Sequence, residues 1–130
     1  MELIIGPAII LGIIVALIEM HFVHMDEGVG RVWIKHAWHA MPFAFMGVLI
    51  NMNVPFVVEL LNLPDIGQIG IQIAVSVILM VKMAAAASIG GQRGIHEKWI
   101  HVLIVGALMF GSYYIWEFFL EGLIGGYIPF

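Results

Sequence analysis

Residues 3–23, LIIGPAIILGIIVALIEMHFV, decide the fold. Glu19 is the only acidic or basic side chain in the stretch apart from His21. A helix needs roughly 20 apolar residues to cross a hydrocarbon core. A lone segment in lipid must also satisfy its own backbone hydrogen bonds, which leaves a helix rather than a strand. Pro7 falls in the first turns, where a missing amide donor costs little. The stretch has no basic start and is too long for a signal-peptide core, so it reads as a retained span.

Three further stretches repeat this character, at about residues 33–52, 66–88 and 98–123. Across the 130 residues, hydrophobic side chains make up 62%, charged ones 11%, and the mean hydropathy is +1.06. Soluble domains carry about 45–50% apolar and about 25% charged residues. Connections between the stretches are short. His24–Val32 holds Asp26, Glu27, Gly28 and Gly30 and reads as a turn, and 89–95 holds Gly90, Gly91 and Gly94. Between spans two and three, residues 54–63 are apolar, contain Pro55 and are followed by Pro64. That run is too short to cross, so it reads as an interfacial or re-entrant helix. Pro42 predicts a kink near Lys35–Trp38. The expectation is all-α: one domain over 1–130, an integral membrane four-helix transmembrane bundle with a short helix between spans two and three.

Basic residues set the orientation. Arg31 and Lys35 flank the first connection, Arg93 and Lys98 the third, and the second has none. The positive-inside rule then places connections one and three in the cytoplasm and both termini outside, in a prokaryotic cell membrane. The formal charge is −4 with no basic cluster, which excludes nucleic acid as a partner. With no cysteine, thiolate metal sites, disulfides and cysteine nucleophiles are excluded. No phosphate-binding loop, nucleophile elbow or HExxH motif is present.

This topology brings all six histidines to one membrane face. His21 and His24 end span one, His36 and His39 begin span two, and His96 and His101 lie at the start of span four. Pairs three or four residues apart share a helix face, as do Glu97 and His101. Neutral imidazole is a common ligand of zinc, copper, iron and nickel. The candidate metal set is therefore His21, His24, His36, His39, Glu97 and His101, holding a transition metal (copper, iron or zinc), with haem b as an alternative. In form, the paired spacing resembles the histidine boxes of membrane di-iron hydroxylases, and the placement resembles haem-ligating histidines of small respiratory-complex anchors. Both are analogies of form, and no residue role carries over. The competing reading is that these histidines cap helix ends or meet headgroups.

Glu19 and Lys82 lie at similar depth below this face, and ionisable residues inside spans face partners or cavities. They are expected to form an intramembrane ion pair or to support the metal ligands, unless Lys82 snorkels to the interface. The methionines read as packing filler. Gln68 and Gln72 are expected to bond a neighbouring helix, and Asn51 and Asn53 to take the last carbonyls of span two.

Three functions remain open. The first is a small subunit of a membrane redox or oxygenase complex, holding the histidine centre. Any catalysis would then be that of an oxidoreductase complex rather than of this chain alone. The second is a structural or assembly subunit without its own cofactor. The third is a metal-cation or proton transporter acting as a homo-oligomer. Expected partners are the lipid bilayer and other membrane subunits or copies of the chain.

Overall fold

The computed structural model describes residues 3–27, 32–64, 67–90 and 98–128, and all regular structure among them is helical. The helices are α1 (Ile5–Glu27), α2 (Val32–Met52), α3 (Val54–Leu61), α4 (Gln68–Gly90), α5 (Trp99–Ile115) and α6 (Glu121–Ile124). A five-residue π-helix, Trp116–Leu120, joins α5 to α6, and a 3-10 turn, Gly125–Tyr127, follows. Ile5–Asp26, Gln68–Ala86 and Trp99–Tyr127 are each long and apolar enough to cross a membrane. The bent pair α2–α3 is a fourth candidate.

Helix α1 runs one turn past its apolar stretch, through His24 and Asp26 to Glu27. No glycine or proline lies between Phe22 and Glu27, so residues 24–27, expected in a turn, are helical, while residues 28–31 of that expected turn lie outside the described residues. Helix α2 passes unbroken through Pro42, and the sharp change of direction comes at Asn53. There α3 leaves α2 at 92°. Pro55 in the first turn of α3 needs no donor, and Asn62 ends the helix in the left-handed conformation with φ 48°. Phe56, Leu60 and Leu61 of α3 are exposed, while Val54 is buried.

Helix α2 packs along α1, α4 and α5, and α5 also touches α1 and α4. Helices α1 and α4 therefore flank the α2–α5 pair. A row of small residues makes this close approach possible: Ala37, Ala40, Ala44 and Val48 follow one face of α2, all buried. Ala40, Ala44 and Val48 meet Leu11 and Val15 of α1 and Val102, Val105 and Met109 of α5 in the core. Two glycines act as sockets for methionine. A Cβ on Gly106 would overlap the side chain of Met80, and one on Gly47 would overlap that of Met109. Methionine suits such irregular gaps because its thioether chain bends without branching.

The π-helix shifts the hydrogen-bond register by one residue, so that Glu121 N–H bonds the carbonyl of Trp116. Trp116 stays buried in the core cluster while Phe118 and Phe119 turn outward. π-Helical turns are rare and occur mostly as short insertions of this kind within α-helices.

Candidate functional site at the histidine end

Asp26, near the end of α1, organises this end of the molecule. Its side chain is 1% exposed. One oxygen, Oδ2, accepts a 2.9 Å hydrogen bond from the backbone N–H of Lys98 and lies 2.7 Å from His101 Nδ1. The other, Oδ1, faces the Lys98 ammonium at 3.4 Å. An ionised carboxylate only accepts, so the proton shared with His101 sits on Nδ1. One turn before Asp26, Phe22 stacks on the His101 ring, with centroids 4.3 Å apart and planes 6° from parallel.

This contact solves two helix-end problems at once. Lys98, the N-cap of α5, supplies no side-chain cap. Asp26 provides the acceptor from α1 and puts negative charge at the positive end of the α5 dipole. The same carboxylate near the C-terminus of α1 is unfavourable toward its own helix, and its α5 partners offset that. Sequence reasoning missed both Asp26 and Phe22 as site residues. Their four-residue spacing on α1 was the available signal, but the partners lie 72 and 75 residues away.

The other predicted ligands have separate surroundings. His24 is exposed and packs edge-on against Trp33, with centroids 4.8 Å apart, joining the end of α1 to the start of α2. His21 is exposed on α1. His36 is fully buried, whereas His39 is exposed and its Nδ1 donates to the Lys35 carbonyl at 2.6 Å. Glu97 and His96 lie outside the described residues. Glu19 is fully buried on α1, and Lys82 is exposed on α4. Among the described residues, no three His, Asp or Glu side chains form a group able to hold a metal ion.

The opposite end carries a second polar set. Tyr114 O–H donates to Gln72 Oε1 at 3.0 Å, and Gln72 Nε2 donates to the Asn51 carbonyl at 2.9 Å. Asn51 Nδ2 donates to Ser76 Oγ at 3.1 Å, so α5, α4 and α2 are joined in one chain of bonds. Asn53 accepts from Ile4 N–H and donates to the carbonyls of Ile4 and Leu49, tying the start of α1 to the end of α2. Thus Gln72 bonds its neighbouring helices and Asn53 takes a last-turn carbonyl as expected, while Asn51 reaches across to α4 instead. Between the two ends, Ala40, Ala44, Val48, Met83, Val105 and Met109 are all fully buried.

No family model matches this chain, and comparison with curated proteins and with solved structures gave no match either.

Proposed function

We propose that the chain crosses the bilayer four times through α1, α2, α4 and α5, with α3 at the interface opposite the histidines. We read it as a structural or assembly subunit of a membrane complex, with no cofactor of its own. One observation carries this reading: histidines at this end serve as fasteners between or within helices. His101 is held by Asp26 and Phe22, His24 by Trp33, and His39 by the Lys35 carbonyl. Basic residues at the same end favour the cytoplasmic side. The fully buried apolar layer between the two polar ends disfavours a transporter, because it offers no relay across the middle.

A second reading, a metal or haem centre in a redox complex, is favoured by the His101 geometry. Metal-ligating histidines often donate their other ring N–H to a carboxylate, as His101 does to Asp26, which leaves Nε2 as the ring atom that would meet a metal. His21 and His24, exposed one turn apart on α1, would be further ligands under this reading. Elemental analysis and a visible spectrum of the gently purified native assembly separate the two. The structural reading predicts no stoichiometric copper, iron or zinc and no Soret band. One or two metal equivalents, or a Soret band, lost on His101→Ala would overturn it in favour of the second.

A further inference from the structure

A groove of about 330 Å³ opens between α1 and α2 on the outer side of the pair. Ile13, Ala16 and Leu17 line it from α1, and Trp38, Pro42 and Phe45 from α2. Ala16 is buried and forms the floor, because a methyl group leaves space that a larger side chain would fill. Every lining residue is apolar, and the volume is within the roughly 300–1,000 Å³ typical of small-molecule sites. Trp38 stands at its mouth, 77% exposed.

Toward the histidine end, both helices turn polar along the same faces, and Lys35 brings a positive charge. His21 follows Leu17 by one turn, Lys35 precedes Trp38 by one turn, and His39 precedes Pro42 by one turn. All three are exposed. The acidic residues Glu19 and Asp26 have their side chains buried, and Asp26 is directed at α5. The groove therefore descends from a rim that carries Lys35, and from Trp38 to Phe45 it runs about 10 Å along the helix. That profile is a charge at headgroup level, an aromatic ring just beneath it, then an apolar slot.

We propose that this groove seats one acyl chain of an anionic phospholipid whose phosphate is bound by Lys35, with His21 and His39 beside it. The proposal rests on reading α1 and α2 as membrane spans. Its test is native mass spectrometry of the full chain in mild detergent, with dioleoyl phosphatidylglycerol or dioleoyl phosphatidylcholine added.

The wild type should retain phosphatidylglycerol about five-fold over phosphatidylcholine, the preference one lysine gives at an anionic surface. Lys35→Gln should abolish that preference. Ile13→Trp, at an exposed wall position, should lower retention of both lipids. Equal retention of the two lipids by the wild type, or retention unchanged by Ile13→Trp, overturns the proposal. Displacement of the lipid by millimolar inorganic phosphate would overturn the acyl-chain seat and leave a bare anion site. A dimer that Ile13→Trp dissolves would assign the groove to a second copy instead. A carbonate wash that frees the chain from membranes would refute the span reading itself, separately from the groove.

Discussion

Replacing Asp26 with alanine removes the acceptor for both the Lys98 N–H and His101 Nδ1, and the counter-charge of the Lys98 ammonium. Hydrogen bonds to charged groups contribute about 1.5–3 kcal/mol each. The Lys98 side chain is 65% exposed, so its ion pair is screened and adds about 0–1 kcal/mol. Water reaches part of this end and offsets some of the lost bonding, which brings the expected cost of Asp26→Ala to about 2–4 kcal/mol. Asp26→Asn should cost less, because its amide oxygen still accepts from Lys98 N–H. Lys98→Gln should fall within about 0.5 kcal/mol of wild type. The assay is reversible unfolding in mixed micelles, titrated with dodecyl sulfate and followed by far-ultraviolet circular dichroism. His101→Phe keeps a ring against Phe22 and loses the bond, so the Asp26→Ala/His101→Phe cycle should show a coupling of about 1–2 kcal/mol. A cost for Asp26→Ala below about 0.5 kcal/mol, or a coupling near zero, would refute Asp26 as the fastener of α1 to α5.

Gly106→Leu should destabilise by about 1–3 kcal/mol in the same titration, since its side chain collides with Met80. Adding Met80→Ala should recover most of that loss. Tyr114→Phe should cost about 0.6 kcal/mol, the usual worth of one interhelical bond in a membrane. Gln72→Leu should cost more, because it also strands the Asn51 carbonyl. Proteoliposomes carrying the chain should show no proton or zinc flux above protein-free vesicles. A flux abolished by His36→Ala would contradict the sealed apolar layer.

The long helices were legible because lipid imposes one solution on a long apolar run: a helix that satisfies its own backbone. Helix α3 was legible from Pro55, Pro64 and the shortness of the run. The end of α1 was not, because Gly28, Gly30 and the adjacent acids resemble a turn while nothing local stops the helix at His24. What holds Asp26 inward is a partner on α5, and separation in sequence hides such partners. The histidine pairs show the limit of spacing arguments. Residues three apart sit about 60° apart around a helix. His36 and His39 straddle the edge of the buried face of α2, one inside and one out. His21 and His24 both stay on the exposed side. The π-helix had no local signal, since its register serves the burial of Trp116 against distant residues.

The proposed four-span arrangement is directly measurable, because the chain has no native cysteine. Single cysteines at Met25, Asn62 and Trp99, all exposed, would be labelled with a membrane-impermeant maleimide in intact cells and in inverted vesicles. With four spans, Met25→Cys and Trp99→Cys react from one side and Asn62→Cys only from the other. Labelling of Met25→Cys and Asn62→Cys from the same side would mean that α2 does not cross. Labelling of Met25→Cys and Trp99→Cys from opposite sides would contradict the closure of α1 onto α5 through Asp26.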